Sequence, residues 1–213
     1  MRARRLVLLR HGRTAWNRTG RAQGHADVEL DEVGHRQAAE AATYLASLGP
    51  VALWCSDLAR ARQTCGYLED ETGLSAKCDE RLREFGVGAR QGLSVEEFAE
   101  RFPEHHDAWL RGDSTPRVPG AETSAEVEER LLPALGECLS SLSAGETGIV
   151  VAHGACLKVG VVGLLGWPSV QVAGLRGLDN CAWATVEKLA TGALRLVGYN
   201  ESVRAHHDGA HAL

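Results

Sequence analysis

Lysine is nearly missing from this chain, with Lys77, Lys158 and Lys188 alone among 23 basic residues. Alanine is abundant, so the bias reads as the codon usage of a GC-rich genome, and no arginine carries weight by its type alone. An excess of positive charge is missing as well. The formal net charge of -5 leaves no basic footprint of the kind nucleic-acid binding requires, which excludes that partner class at the outset. The six cysteines (Cys55, Cys65, Cys78, Cys138, Cys156 and Cys181) form no CxxC pair and lie mostly among apolar neighbours. They read as free thiols in a reducing cytoplasm and not as a disulfide framework. Long apolar runs are absent too. The stretch 159–167 falls far below the ~18 residues that span a bilayer, and the run 6–9 stops at Arg10-His11, too short for the apolar part of a signal peptide. No internal repeat is visible. These absences together predict a cytoplasmic chain with no membrane and no nucleic-acid partner.

What is present is ordinary globular usage: 213 residues, 44% hydrophobic and 24% charged, enough for one domain or one domain with a lid. The branched, unbroken apolar runs 6–9, 51–55 and 149–152 read as buried parallel strands. Apolar stripes at helical spacing predict helices over 31–48, over 57–71 with Gly73 closing it, over 122–142 and over 155–165. Two further strands, 181–189 and 193–199, turn at Thr191-Gly192. Alternation of this kind predicts an α/β fold, a three-layer α/β/α sandwich whose central sheet is mostly parallel and mixed at one edge. From 86 to 120 the pattern changes to glycine, charge and scattered aromatics with one short helix over 94–101, a lid-like insertion. The predicted organisation is one domain over 1–200, with the lid at 86–120 and a flexible tail over 201–213 whose His206, His207 and His211 are solvated and not metal ligands.

Chemistry gathers where strands end. Arg10-His11-Gly12 follows the first run directly, His153-Gly154 follows 149–152, and 51–55 runs into Ser56-Asp57-Leu58-Ala59-Arg60. Ligands of α/β folds collect at the carboxyl ends of strands, so His11, His153, Arg10 and Arg60 are predicted to converge on one edge. Two imidazoles and two guanidiniums would repel one another around an empty space. They make sense around an anion, and the planar fork of arginine favours phosphate. Guanidiniums do not ligate metals, so no metal and no cofactor is expected here.

The chain resembles the histidine phosphatase superfamily, the branch that includes cofactor-dependent phosphoglycerate mutases and their phosphatase relatives. The blocks that carry the likeness are Leu-Arg-His-Gly-Arg-Thr-Ala-Trp-Asn at 9–17, Gln23-Gly24 with Leu30 and Gly34, Ser56-Asp57-Leu58 with Arg60-Ala61 and Thr64, Leu82-Arg83-Glu84 before Gln91-Gly92, and Val151-Ala152-His153-Gly154. The resemblance implies that His11 is the nucleophile that becomes phosphohistidine, that Arg10, Arg60 and His153 hold the phosphoryl oxygens, and that Glu84 donates the proton. It implies further phosphate contacts at Asn17, Gln23, Gly24 and Gly154, although turn chemistry around Gly20 and Gly24 also accounts for Asn17 and Gln23.

The physical chemistry agrees. A neutral imidazole is a good nucleophile when its other nitrogen donates to a fixed acceptor, and Arg10, Arg60 and a protonated His153 would stabilise the charge spreading over the equatorial oxygens. Beside a bound dianion a carboxyl retains its proton, so Glu84 can act as acid and then as base. If Glu84 were not the acid, Glu122 is the next carboxylate to consider.

Two reactions share this machinery. A phosphohistidine can return its phosphate to a sugar acid, as a mutase does, or lose it to water. Mutases of the family carry a longer insertion after the glutamate, with an arginine pair and a proline-rich stretch, whereas Arg101, Arg111 and Arg117 stand apart here. Hydrolysis of a small phosphorylated metabolite is therefore the reading. A mutase and a non-catalytic phospholigand-binding protein are the alternatives, and a homodimer is left open. The opening 1–7, with Asn180-Cys181-Ala182-Trp183 and Leu194-Arg195-Leu196, is similar to the glucosyl-3-phosphoglycerate phosphatases of the family. Arg90 departs from it, standing before Gln91-Gly92 where relatives carry an aromatic or apolar residue.

Overall fold

Six strands build one sheet, β1 (Arg4–Arg10), β2 (Pro50–Cys55), β3 (Lys77–Cys78), β4 (Thr147–Ala152), β5 (Trp183–Lys188) and β6 (Leu194–Glu201), in the order β3-β2-β4-β1-β5-β6. The computed structural model describes residues 2–111 and 117–203. β1, β2, β3 and β4 run parallel, while β5 and β6 add an antiparallel edge, so the mixed sheet lies where the turn at Thr191-Gly192 predicted it. Side chains on a strand alternate between faces, and here both faces are covered. Leu6, Leu8, Val150 and Ala152 pack under Leu131 and Leu135 of α6 (Ser124–Ser141) and Leu157 and Val161 of α7 (Gly154–Leu164). Val7, Leu9, Ile149 and Val151 pack on Ala42 and Leu45 of α2 (Glu32–Ala46) and on Cys65 and Leu68 of α3 (Ala59–Thr72). Each fully buried leucine is worth about 1.5–3 kcal/mol relative to exposure, and this two-sided burial is why the strands read as unbroken apolar runs.

The expected helices are present, all but α7 with trimmed starts; α7 begins one residue earlier than expected. Thr123 caps α6, its hydroxyl accepting the Glu126 amide, so residue 122 stays outside and free for other contacts. α3 begins at Ala59 and not at 57, because Asp57 is engaged by the Arg83 guanidinium and the Ala59 amide is capped by the Asp27 carboxylate. Among the described α-helices and β-strands, three have no counterpart in the sequence reading. They are α1 (Ala15–Arg18), the two-residue β3, and α5 (Pro103–Leu110), which follows the expected α4 (Val95–Arg101) in the lid. Each is too short, or too aromatic and polar, to show an apolar period. The tail reading needs correction at its start: Glu201 is still in β6 and Val203 packs against the core, while 204–213, with the three tail histidines, lie outside the described residues. Among the described residues no helix is long and apolar enough to cross a membrane.

Because β1, β2 and β4 are parallel neighbours, their carboxyl ends fall on one edge. That edge holds His11 after β1, Ser56 to Arg60 after β2, and His153 after β4.

Candidate active site

His11 and His153 meet edge to face, ring centroids 5.2 Å apart, and both are buried. The Nδ1 of His11 lies 2.7 Å from the Gly12 carbonyl, to which it can only donate, so the lone pair sits on Nε2. Burial first, then the Arg10 and Arg60 charges, hold the His11 pKa well below the ordinary histidine value, and the ring is a neutral base at pH 7. Its backbone is fixed from behind. The Gly12 amide donates to Thr64 Oγ1, while the Asn180 Nδ2 and the Cys181 amide donate to the His11 carbonyl. Cys181 adopts a left-handed backbone (φ 55) to do so, a conformation uncommon for a side chain of this kind.

His153 differs from its expected state. Arg60 Nε donates to its Nδ1 at 3.1 Å, so its Nε2 carries the hydrogen and donates to Ser56 Oγ at 2.9 Å. Burial, then Arg60, His11 and Arg10, push its pKa well down. His153 is thus neutral and not protonated, with both nitrogens occupied, and the positive charge of the site comes from the two arginines. Arg60, wholly buried, also donates to the Ala26 and Gly24 carbonyls, and burial lowers its pKa to about 10, which leaves it charged. Arg10 donates to the Leu178 carbonyl and keeps its Nε free.

These groups surround a cavity of about 220 Å³ walled by Arg10, His11, Asn17, Gln23, Arg60, Glu84 and Arg90. Among the described residues, the buried side-chain nitrogens and oxygens without a hydrogen-bond partner are Arg10 Nε, Gln23 Oε1 and Arg90 Nε. All three belong to this one cavity. Buried polar atoms are rarely left unpaired, so their convergence marks a place for a polar ligand.

Glu84 stands at the amino end of α7. Its Oε1 accepts the amides of Phe85 (2.9 Å) and Cys156 (2.8 Å), and its Oε2 accepts that of Ala155 (3.0 Å). The helix start thereby gains the cap that His153 does not supply, and the carboxylate gains a fixed position on the cavity wall. Arg130 on α6 fixes the segment from outside by donating to the carbonyls of Arg81, Arg83 and Glu84 and to both oxygens of Glu122. Burial pushes the Glu122 pKa up, but Arg130 and the Gly86 amide outweigh it and the carboxyl lies below its ordinary value. Glu122 is thus a fixed anion and a poor substitute acid.

The remaining predicted residues separate into donors and spacers. Asn17 completes the capping box at the start of α1, its Oδ1 accepting from the Thr14 amide and hydroxyl and from Asn180, which leaves Nδ2 for the cavity that Asn17 lines. Turn chemistry and cavity lining are therefore both true of it. Gly24 turns its carbonyl to Arg60, and at φ +52 a Cβ would strike Val87 at 2.6 Å. Gly154 is needed for space, because a Cβ would come within 3.2 Å of Arg10 Cδ and Nε, and its amide, first in α7, has no intrahelical acceptor. Sequence reasoning missed Thr64, Asn180 and Arg130 as supports. Thr64 and Asn180 stand inside recognisable blocks, whereas Arg130, on a polar helix face, carries no local signal.

The family model of the histidine phosphatase superfamily (branch 1) matches residues 6–202. A glucosyl-3-phosphoglycerate phosphatase of Mycobacterium tuberculosis is 38% identical over 190 residues, which cover 86% of this chain and 85% of that protein. A "probable phosphoglycerate mutase GpmB" of Yersinia enterocolitica is 35% identical over 182 residues, covering 85% of this chain and 84% of that one. The solved structure of a mycobacterial glucosyl-3-phosphoglycerate phosphatase complexed with VO3 superposes with a TM-score of 0.86 at 35% identity, covering 95% of this chain and all of that one.

Proposed function

The chain belongs to the histidine phosphatase superfamily (branch 1) and is a phosphatase of a small phosphorylated metabolite; we propose that His11 is its nucleophile, Glu84 its proton donor, and Arg10, Arg60, Asn17 and Gln23 its phosphate cradle. The observation that carries this reading is the His11 tautomer, with Nδ1 donating to Gly12 and the Nε2 lone pair left for a cavity that also holds the unpaired Arg10 Nε donor. The Nε2 lone pair attacks phosphorus as the ester P–O bond breaks. The leaving oxygen takes a proton from Glu84 Oε2, which accepts only one amide and so keeps a lone pair to carry it. The alcohol departs and leaves phosphohistidine. Water then attacks phosphorus, gives its proton back to Glu84, and releases phosphate and neutral His11. Arg10 and Arg60 stabilise the charge on the equatorial oxygens throughout. His153 contributes by holding Arg60 through Nδ1.

Net negative charge and the site's size favour a small metabolite over nucleic acid, and the free thiols favour the cytoplasm. A phosphate-release screen over phosphorylated sugars, sugar acids and nucleotides, with chelator present, tests the whole reading. Release unaffected by chelator is expected. Isomerisation of a phosphoglycerate without release would make the chain a mutase, binding without either would make it a binding protein, and loss of release with chelator would contradict the metal-free cradle.

A further inference from the structure

The phosphate cradle is held from behind by a stretch, 176–182, that lies in neither helix nor strand. Its Leu178 carbonyl accepts from Arg10 Nη1, Asn180 Nδ2 donates to the His11 carbonyl at 3.1 Å and to Asn17 Oδ1 at 3.3 Å, and the Cys181 amide donates to the His11 carbonyl. Three cradle residues thus depend on a loop, and a loop keeps one shape only where a rigid element ties it down. Here the tie comes from the edge strand β6. The Asp179 amide donates to Asn200 Oδ1 at 2.7 Å, and Asn200 Nδ2 donates back to Asp179 Oδ2 at 3.0 Å. Arg176 also reaches Asp179 Oδ1, but those two side chains are 74% and 56% exposed, and so wet an ion pair contributes little. The backbone sets Asn200 for this contact. The register of β5 against β6 slips by one residue between Trp183–Glu201 and Thr185–Gly198, so the extra residue falls at 199–200, where Asn200 takes a left-handed φ of 55. A bulge re-aims the side chain it carries, and asparagine tolerates that conformation better than most residues.

We propose that Asn200, acting through Asp179, is a positioning residue for phosphoryl transfer: its paired hydrogen bonds set 178–181 so that Arg10, His11 and Asn17 meet the phosphoryl group already in place. The inference rests on the phosphatase reading above and adds to it a residue that stands outside the wall of the phosphate cavity. Donors fixed in advance stabilise the phosphoryl oxygens, so a small displacement of this loop slows transfer from every ester alike. The acid is left untouched, because Glu84 is fixed separately by the amides of Phe85, Ala155 and Cys156.

Asn200→Gly removes both hydrogen bonds and keeps the left-handed backbone free of strain. Its kcat/KM should fall about 10- to 100-fold, by the same factor on p-nitrophenyl phosphate as on glycerol 3-phosphate, and competitive inhibition by inorganic phosphate should weaken in step. Asn200→Asp sets two carboxylates against each other and should lose at least as much. Combining Asp179→Asn with Asn200→Asp keeps the acceptor for the backbone amide and reverses the side-chain hydrogen bond, so the pair should recover most of what Asn200→Asp loses. Urea midpoints measured beside the rates report whether each variant is folded, and if Asn200→Gly does not fold the combined exchange decides. Wild-type kinetics in Asn200→Gly, with or without a lowered midpoint, would make Asn200 a support of the fold alone and overturn the assignment. A loss confined to the alkyl ester, or a combined exchange no better than Asn200→Asp, would overturn it as well. A wild type that releases phosphate from no ester defeats the phosphatase reading instead, whereas an active wild type indifferent to Asn200 defeats this inference alone.

Discussion

The phosphate cavity and the lid cavity, a space of about 320 Å³ bounded by Phe85, Phe98, Trp109 and Val118, share Arg90 and a wall, yet they are built in opposite ways. In the first, nearly every functional side chain is held by a second group: His11 by Gly12, Arg60 by two carbonyls and His153, Glu84 by three amides, Asn17 by Thr14 and Asn180. In the second, aromatic rings on α4 and α5 enclose space beside Arg90, which has no carboxylate partner among the described residues, and Trp109 remains 45% exposed. Transition-state stabilisation needs donors that do not reorganise, whereas leaving-group recognition tolerates a looser surface. The contrast predicts that changes in the first region alter the rate for every substrate and changes in the second alter which substrate is preferred.

The largest effect should come from His11→Ala. Turnover and phosphoenzyme labelling should vanish together for all esters, since among the described residues His11 is the histidine that lines the cavity. Residual labelling of the variant by rapid-quench measurement would show a different acceptor.

Next, Glu84→Gln should cost ~10²- to 10⁴-fold on an alkyl phosphate and much less on an aryl phosphate, whose leaving group needs little protonation. An equal loss on both, or none on either, would remove Glu84 from the acid role. Arg130→Met, far from the phosphate, should follow the same alkyl-over-aryl pattern at about 10- to 100-fold, because it shifts Glu84 and not the cradle. A uniform loss on both ester types would make Arg130 a support of the fold alone.

The smallest effect lies in stability. His11 and His153 have pKa values depressed by burial and by the arginines, so the unfolded chain takes up protons first as the pH drops. Their contribution is complete above the unfolded value of ~6.5 and is lost as the pH falls below it, by up to about 1.4 kcal/mol per pH unit for each histidine. Urea unfolding between pH 7.5 and 5.5 should therefore show a shallower slope in His153→Asn than in the wild type; identical slopes would mean that His153 is charged in the folded protein.

Much of the first region was legible in the sequence, and little of the second. Strand runs such as 149–152 are apolar because both faces are covered, and a strand that stops at His153-Gly154 announces its site. The cradle residues follow one another within short blocks, so their order alone places them on one sheet edge. The charge state of His153 was not legible, since it depends on an Arg60 contact made 93 residues away. Nor was the part played by Arg130, which reaches the Glu84 segment from a helix 46 residues on. The lid cavity lacks any period or repeat to read, and Arg90 showed only as a departure from its relatives.

The central claim is that the phosphoryl group rests on His11 between the two chemical steps. Trapping the enzyme during turnover of a good ester and locating the phosphate by mass spectrometry tests it directly. The account predicts an acid-labile, base-stable phosphate on the peptide containing His11, formed and consumed at rates consistent with turnover. Phosphate found on another residue, or burst kinetics with no phosphoenzyme at all, would contradict it.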